Sequence, residues 1–358
     1  MSQSSAYLVF ADGSIFQGTS FGHDGETSGE VVFNTSLTGY QEILTDPSYF
    51  KQIIVMTYPM IGNVGVNKED VESAHPFASG LIVHEYCPWP SNGRSTQSLR
   101  DYLKEHKIVG ITGMPTRTIV RKIRSHGACP AILAVGGDPK EWVKKAKELP
   151  SMEGQGLAIQ VSTKKIYTVS AKNPKWSISA IDYGIKTSIL RELAKRDCKV
   201  TVYPATASAK EILAESPDGI LLSNGPGDPA PLHSQIAVIR EILDKKPLLA
   251  ICLGHQLLAL ALGGKTYKLK FGHRGGNQPV KDLKTGKVLI TAQNHGFAVD
   301  SNSLPKDLEI TQINLNDQTI EGFAHRKLPI LSFQYHPEAG PGPKDANFIF
   351  DQFLERLV

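Results

Sequence analysis

The apolar and polar positions in the first half of the chain form short strand patterns that are followed by helical ones. Residues 6–10 have a strand pattern that runs into Asp12-Gly13, a pair typical of hairpin turns. Residues 52–57 form another strand pattern, and residues 116–125 have the spacing of an amphipathic helix with Thr116 as its N-cap. Because strands come first and helices later, we expect an α+β domain here.

The second half has a different pattern, in which strands and helices alternate. A glycine-bearing stretch at 153–156 and a charged stretch at 164–175 are typical of a joint, and we predict domains at 1–172 and 173–358. The alternating segments that follow are residues 177–182, 186–196, 199–203, 208–215, 219–223 and 234–245. This alternation predicts an α/β domain with a doubly wound, mostly parallel sheet, whose ligands bind beyond the carboxyl ends of the strands.

One of these strand ends carries a cysteine. The apolar run at 247–251 stops at Cys252, where a helical pattern begins at once. Ala250 and Gly254 flank the cysteine two positions before and after it, as in the strand-to-helix turn of a nucleophile elbow. The free N–H groups of a helix N-terminus favour a thiolate and can bind an oxyanion. On this stretch alone, a reactive nucleophile and an inert buried cysteine both remain open.

A thiol nucleophile needs a general base, and a histidine with a carboxylate beside it suits neutral pH. His336 and Glu338 follow the strand pattern at 331–335 and supply both groups. His255 and His295 are rival bases, although His255 lies in the first helical turn beside Cys252 and is expected to point elsewhere. We therefore expect His336 to be the base and Glu338 to orient it.

Loops that follow strand patterns are candidate ligand-binding segments. Residues 223–229 contain two glycines and two prolines and lie at the same predicted sheet edge as Cys252, so their N–H groups can approach a ligand. Residues 293–297 follow another strand-like run at 288–292. For the polar loop at 36–42, a plain connection and a role in a site both remain open. The basic helix at 116–125 fits either a solvated face or a docking surface for an acidic partner.

Composition excludes several classes of function. The chain is 41% hydrophobic and 21% charged, as in ordinary globular proteins, and a net charge of +4 over 358 residues favours neither nucleic acid nor an anionic membrane. No segment approaches the ~20 apolar residues of a membrane span, and we expect no signal peptide. The cysteines are scattered and lack the spacing of a zinc site, so we expect free thiols in the cytoplasm and no metal; they are Cys87, Cys129, Cys198 and Cys252.

Taken together, the motifs resemble a known family. Cys-Leu-Gly-His-Gln-Leu-Leu at 252–258 with His-Pro-Glu at 336–338 resembles a class I, triad-type glutamine amidotransferase. The segment GEVVFNTSLTGYQE at 29–42 is similar to the small, glutaminase subunit of carbamoyl phosphate synthetase, and so are residues 223–229, 293–299, 316–322 and 332–343. The resemblance covers essentially the whole chain. It implies a small-subunit domain followed by a class I glutamine amidotransferase domain.

At matching positions the resemblance implies roles for single residues. Cys252 would attack the side-chain amide of glutamine, His336 would transfer the proton, and Glu338 would orient His336. A glutamyl thioester would form, and water would release glutamate. Gly227 and Leu253 would offer backbone N–H groups to the oxyanion. The residues that would hold glutamine are Ser36, Gly225, Gly227, Leu253, Gln256, Asn294, Gly296 and Phe297, so the first domain would contribute to the site through Ser36.

The resemblance also implies a partner. Ammonia would pass through a tunnel to a large synthetase subunit that binds ATP, Mg²⁺ and bicarbonate. This chain has no Gly-x-x-x-x-Gly-Lys-Ser/Thr loop, and we expect no cofactor in it and no nucleic-acid or membrane partner. Two alternatives remain: the glutaminase subunit of another class I complex, and a non-catalytic regulatory subunit. Ala250 stands where the family has Gly and Pro115 where it has Asp, and we expect a functional elbow and altered packing near Pro115.

Overall fold

The structure is a computed structural model that describes residues 4–357. The chain folds into two compact units, Met1–Met152 and Glu153–Val358. The sequence places this division between residues 172 and 173, whereas in the structure the segment from Glu153 onwards belongs to the second unit. The reason is that the strand Tyr167–Ser170 pairs with Cys198–Pro204 and so extends the second unit's sheet.

The first unit is built around a closed β-barrel. β1 (Ser5–Phe10) and β2 (Ile15–Ser20) form the predicted hairpin, whose turn contains Gly13 at φ +88°. The remaining strands are β3 (Glu26–Asn34), β4 (Gln52–Met56), β5 (Met60–Ile61), β6 (Gly80–Ile82), β7 (Glu85–Tyr86), β8 (Val109–Thr112) and β9 (Cys129–Val135). The barrel order is β1-β2-β8-β6-β4-β3-β9, and β9 pairs with β1, while β5 pairs with β7 separately. Closure leaves the barrel without a free edge.

Helices accompany the barrel at α1 (Tyr40–Thr45), α2 (Leu99–Glu105), α3 (Thr116–His126) and α4 (Pro139–Lys147). Helix α1 shows that residues 36–42 are not only a loop, as the sequence alone allowed. The prediction of Thr116 as N-cap of α3 is wrong, because Pro115 occupies that position and makes no side-chain cap hydrogen bond. The predicted amphipathic face of α3 is confirmed, since Ile119 and Ile123 are buried and its arginines are exposed.

The second unit is organised around a ten-stranded sheet. Its strands are β10 (Tyr167–Ser170), β11 (Trp176–Asp182), β12 (Cys198–Pro204), β13 (Gly219–Leu222), β14 (Leu248–Ile251), β15 (Thr266–Asp282), β16 (Val288–Val299), β17 (Leu308–Asn314), β18 (Ile320–His325) and β19 (Ile330–Phe333). The sheet order is β10-β12-β11-β13-β14-β19-β18-β17-β15-β16. The strands from β12 to β19 in this order are parallel, and antiparallel strands extend them on both sides. This parallel core confirms the predicted α/β architecture.

Helices cover both faces of the sheet. They are α5 (Ala158–Val161), α6 (Thr187–Ala194), α7 (Ala209–Leu213), α8 (His233–Ile242), α9 (Leu253–Ala261) and α10 (Ile349–Leu354). Because strand side chains alternate, Leu248 and Ala250 of β14 pack in one buried cluster with α8 and α9, whereas Leu249 and Ile251 pack in another with α6 and α10. The fully buried Ala250 shows that the strand accommodates its methyl group.

The long hairpin of β15 and β16 extends well beyond the sequence prediction, which found a strand only at 288–292. Strand β15 spans 17 residues and carries register shifts between Lys268 and His273 and between Gly275 and Gln278. Such bulges interrupt the alternation by which a strand is recognised in a sequence. The hairpin places Asn294 beside Cys252, the residue that directly follows β14.

Candidate active site

Cys252 forms the sharp turn between β14 and α9. Its backbone has φ +53° and ψ −105°, a region that side-chain-bearing residues rarely adopt and that costs about 1–3 kcal/mol. Its N–H donates to the carbonyl oxygen of Phe333 at 2.8 Å, and the residue is only 2% exposed. A Cβ on Gly254 would lie 2.4 Å from the carbonyl oxygen of Leu222, so this position requires glycine. These features are those of a nucleophile elbow.

His336 and Glu338 lie just beyond β19, the parallel neighbour of β14. His336 Nδ1 is 2.6 Å from Glu338 Oε1, and both side chains are buried. Among the described residues, no hydrogen bond of ordinary geometry is made by His336 Nε2, and because Nδ1 is held by Glu338, the interaction of the ring with Cys252 is left to Nε2, which can therefore exchange a proton with the thiol. Burial would lower the pKa of His336, but the Glu338 carboxylate and the Cys252 thiol outweigh it and raise the pKa to about 10. The predicted catalytic side chains therefore lie in one buried group.

Lys186 is a member of this group that sequence reasoning missed. Its Nζ lies 3.0 Å from Glu338 Oε1 and donates to the carbonyl oxygen of Ala339 at 2.5 Å. Burial would raise the pKa of Glu338, but Lys186 and His336 outweigh it and lower the pKa to about 2. Glu338 is therefore ionised at neutral pH. In the sequence Lys186 is the first residue of an ordinary amphipathic helix pattern at 186–196, and nothing in its spacing distinguishes it from a surface lysine.

The loop at 223–229 follows β13 and lies at the same sheet edge as Cys252. It contains Gly225 and also Gly227, which has φ +91° and whose Cβ position would lie 2.5 Å from a backbone carbonyl oxygen. The N–H of Gly254 donates to the loop at 3.0 Å and joins it to α9. No described residue accepts a hydrogen bond from the backbone N–H of Gly227 or Leu253. Two such groups are suited to bind an oxyanion.

The predicted glutamine-binding residues of β16 adjoin the nucleophile. Cys252 Sγ lies 3.6 Å from the carbonyl oxygen of Asn294. Gln256 of α9 donates from Nε2 to the carbonyl oxygen of Phe297 at 2.8 Å. This hydrogen bond joins α9 to the segment that contains Gly296. The second unit therefore brings together every predicted site residue that it contains.

Ser36 belongs to the first unit, where it follows β3. Its N–H donates to Asn34 Oδ1 at 2.7 Å. Its side chain is buried, and its hydroxyl has no hydrogen-bond partner among residues 4–357. Buried hydroxyls are normally hydrogen-bonded, so an unmet one is unusual. A role for Ser36 in glutamine binding stays a prediction.

The rival histidines have structural contacts. His255 is fully buried, its Nδ1 lies 2.8 Å from Ser332 Oγ, and burial lowers its pKa to about 3. His295 is also buried, and its Nδ1 donates to the carbonyl oxygen of Phe297 at 2.7 Å. Burial, followed by the charge of His273, lowers the pKa of His295 well below its usual range. Both rings are thus neutral at physiological pH and fixed in the core.

One group of side chains has the composition of a metal site. The ligand atoms of His273, His295 and Glu321 all lie within 4.8 Å of one another. His273 Nε2 is 2.8 Å from Asp317 Oδ2, however, and its Nδ1 is 3.7 Å from Glu321 Oε1. Burial would lower the pKa of His273, but Asp317 and Glu321 outweigh it and raise the pKa to about 9. A metal ligand must be a neutral imidazole, so these contacts fit an ion-pair cluster better.

Two other expectations concern thiols and membranes. All four cysteines are free thiols, as predicted. Across residues 4–357, no helix combines the length and the apolar character that crossing a bilayer requires.

Comparisons with known proteins cover both units. Residues 179–356 match the family model described as glutamine amidotransferase class-I, and residues 8–133 match the one described as carbamoyl-phosphate synthase small chain, CPSase domain. The carbamoyl phosphate synthase small chain of Syntrophotalea carbinolica is 54% identical over 366 residues, covering 98% of this chain and 97% of the relative. That of Aquifex aeolicus is 52% identical, covering 98% of each chain. That of Chlorobaculum tepidum is 52% identical, covering 100% of this chain and 99% of the relative.

Proposed function

The chain belongs to the family of carbamoyl phosphate synthase small chains, and from this premise we propose how its residues hydrolyse glutamine. Cys252 attacks the side-chain amide carbon, and Glu338 orients His336, which transfers the thiol proton to the leaving ammonia. The N–H groups of Gly227 and Leu253 bind the oxygen of the tetrahedral intermediate. Water then attacks the glutamyl thioester, and glutamate leaves as the thiol is restored.

One observation carries the proposal. The buried imidazole of His336 is held at Nδ1 by Glu338, and its Nε2 has no other partner within the described part of the chain. Its raised pKa favours the protonated ring, so that once His336 has taken the thiol proton it holds this proton for donation to the leaving nitrogen. A base fixed by a carboxylate beside a cysteine at a helix N-terminus is the arrangement that acyl transfer from an amide needs.

Substrate binding uses the loops around this group. The residues that we propose to hold glutamine are Ser36, Gly225, Gly227, Leu253, Gln256, Asn294, Gly296 and Phe297. The 3.6 Å contact of Cys252 Sγ with the carbonyl oxygen of Asn294 supports a glutamine position beside β16. The buried, unpartnered hydroxyl of Ser36 supports a contribution from the first unit.

We further propose that the ammonia passes through a tunnel to the large synthetase subunit, with which the chain forms a heterodimer. That subunit binds ATP, Mg²⁺ and bicarbonate and makes carbamoyl phosphate, so this chain needs no cofactor of its own. The match of residues 8–133 to the small-chain model favours this partner over that of another class I complex. The complete triad disfavours a non-catalytic regulatory subunit. The free thiols support a cytoplasmic location.

The test is Cys252→Ser in the reconstituted complex. We expect glutamine hydrolysis to fall about 10⁴-fold or more, as for the loss of other nucleophiles, while carbamoyl phosphate synthesis from added ammonia continues. Cys87→Ser, at a half-buried thiol in the first unit, is the matched control and should hydrolyse glutamine at the parent rate. Intact glutamine hydrolysis in Cys252→Ser would show that the mechanism is wrong.

A further inference from the structure

We propose that Asp228 is a positioning residue of the loop at 223–229, which holds the N–H of Gly227 in the geometry that glutamine hydrolysis needs. Asp228 directly follows Gly227 and is only 8% exposed. Acidic side chains are rarely buried unless their oxygens are paired. Those of Asp228 are satisfied by backbone N–H groups of its own loop and of a neighbouring stretch at 153–157, here called the clamp segment.

The hydrogen bonds of Asp228 join the loop to the clamp segment. Its Oδ1 accepts from the N–H of Ala230 within the loop at 2.9 Å, and its Oδ2 accepts from the N–H of Gly154 at 2.9 Å. The backbone N–H of Asp228 donates to the carbonyl oxygen of Gln155, also at 2.9 Å. Side chain and backbone of one residue therefore fix the peptide that follows Gly227.

The clamp segment also lies directly against Gly227. A Cβ at this glycine would lie 2.5 Å from the carbonyl oxygen of Gln155 and 2.9 Å from the backbone nitrogen of Leu157. The φ of Gly227 is +91°, a conformation that glycine adopts without strain. Because its backbone is in contact with that of the clamp segment, the position of Gly227 is limited on this side. Its N–H is one of the two proposed oxyanion donors.

The stretch that begins with the clamp segment is itself attached to the sheet. Leu157 and Ala158 are buried, and the N–H of Thr163, a few residues later, donates to Asp182 Oδ2 at 2.7 Å. Asp182 ends β11, the parallel neighbour of β13, which the loop follows. Two carboxylates at the same sheet edge, those of Asp182 and Asp228, thus hold this stretch at its two ends. The clamp segment is therefore a fixed support for the loop.

The charge of Asp228 indicates that its role is geometric. A carboxylate close to a developing oxyanion opposes the new charge, so the residue after Gly227 does not assist the reaction through its own charge. An N–H group stabilises an oxyanion only if it is already held at hydrogen-bond distance, and a displacement of about 1 Å can cost about 100-fold in rate. The hydrogen bonds of Asp228 supply this rigidity.

The inference rests on the proposed function, and Asp228→Ala with Asp228→Asn tests it in the reconstituted complex. In Asp228→Ala we expect kcat for glutamine hydrolysis to fall about 10- to 100-fold, because the oxyanion donor is no longer held, with KM changed less than about threefold. Asp228→Asn keeps one acceptor oxygen, which can serve Gly154 or Ala230 but not both. Its kcat should lie between those of the parent and Asp228→Ala, at least about threefold below the parent.

The matched control is Asp218→Ala, at the opposite end of β13. Asp218 Oδ2 likewise accepts from a backbone N–H, that of Ser177 at 2.8 Å, but Asp218 directly precedes the strand whereas the loop follows it. Thermal unfolding should show a loss of stability in both alanine variants, since each loses hydrogen bonds of a carboxylate. Asp218→Ala should nevertheless keep the parent kcat and KM, which a merely structural role of Asp228 would also predict for Asp228→Ala.

An unchanged kcat in folded Asp228→Ala would overturn the inference, and so would an effect on KM alone or an equal loss of kcat in Asp218→Ala. If Asp228→Ala fails to fold, Asp228→Asn decides, because the parent kcat in that variant would overturn the inference. If Cys252→Ser loses glutamine hydrolysis while Asp228→Ala keeps the parent rate, the inference fails and the proposed function stands. If Cys252→Ser keeps it, the proposed function fails first.

Discussion

The two units bury polar groups for different purposes. In the first unit, buried polar side chains hold loops: Gln41 bonds to both the N–H and the carbonyl oxygen of the Asn67 backbone. Its ion pairs, such as Arg94 with Asp70, have partly exposed side chains. Exposed pairs are screened by water and contribute little to stability. The Arg94–Asp70 pair of this unit therefore lies near solvent, while the unit also buries the carboxylates of Glu30 and Glu72.

The second unit instead pairs charges in its interior. Lys186, Glu338 and His336 form one such group, and His273 with Glu321 forms another. Away from water these interactions are strong, but a missing partner is costly. The comparison teaches that buried basic side chains, such as Lys186 and His336, distinguish the unit in which we propose the chemistry, because the described part of the first unit buries acidic side chains but no lysine, arginine or histidine. Substitutions of charged or titratable residues in the second unit should therefore reduce activity or stability more than comparable substitutions in the first unit.

The largest difference between the two units is expected in the rate of glutamine hydrolysis when a histidine of each unit is replaced. His336→Asn removes the group that transfers the proton, and glutamine hydrolysis should fall about 10⁴-fold, measured as glutamate release. His126→Asn changes an exposed histidine of α3 in the first unit and should leave the rate within about twofold. If His336→Asn hydrolyses glutamine within tenfold of the parent rate, His336 is not the base. The difference in effect between substitutions in the two units would then be smaller than proposed.

Much of the parallel core could be predicted because its strands are continuous apolar runs. The run at 247–251 and the helical pattern after Cys252 marked β14, α9 and the turn between them. The histidine that follows β19 could be chosen because a thiol needs a base at the same sheet edge. These predictions depend only on local pattern and on the rule that parallel strands share a carboxyl edge.

The remainder depends on contacts that are distant in the sequence. Lys186 and Glu338 are far apart along the chain, and only the fold turns a surface-like lysine into a buried cation. Strand β15 was not predicted because its bulges interrupt the alternation of apolar and polar residues. For the same reason the sequence did not show that His273 pairs with His295 across the hairpin. The sequence did not predict that the sheet of the first unit closes into a barrel. Closure depends on the pairing of β1 with β9, and no residue pattern within either strand indicates this pairing.

A smaller effect, on stability, is expected from the second ion-pair cluster. His273→Gln removes the imidazolium that pairs with the buried Glu321, and we expect the free energy of unfolding to fall by about 3 kcal/mol. Arg94→Gln removes a partly exposed pair of the first unit and should cost less than about 1 kcal/mol. Chemical denaturation of both variants measures the difference. Equal losses would contradict the contrast between interior and surface pairs.

The pH dependence of stability is a second measurement of how much the charge of His273 contributes to the fold. The pKa of His273 is raised from 6.5 to about 9, so its charge stabilises the fold fully below pH 6.5. This contribution is lost as the pH rises through 9. The parent should therefore lose stability between pH 7 and 9.5, and His273→Gln should lose less over the same range. Identical slopes would show that His273 does not carry the buried charge.

The smallest expected effect tests whether the first unit takes part in chemistry at all. Ser36→Ala removes a buried hydroxyl that lacks a partner within residues 4–357. If this hydroxyl binds glutamine, its loss should raise KM about tenfold, the value of one hydrogen bond, and leave kcat nearly unchanged. Ser125→Ala, at an exposed position of α3, is the control and should leave both constants unchanged. An unchanged KM in Ser36→Ala would show that the Ser36 hydroxyl does not bind glutamine and would remove the observation that supports a contribution of the first unit to the site.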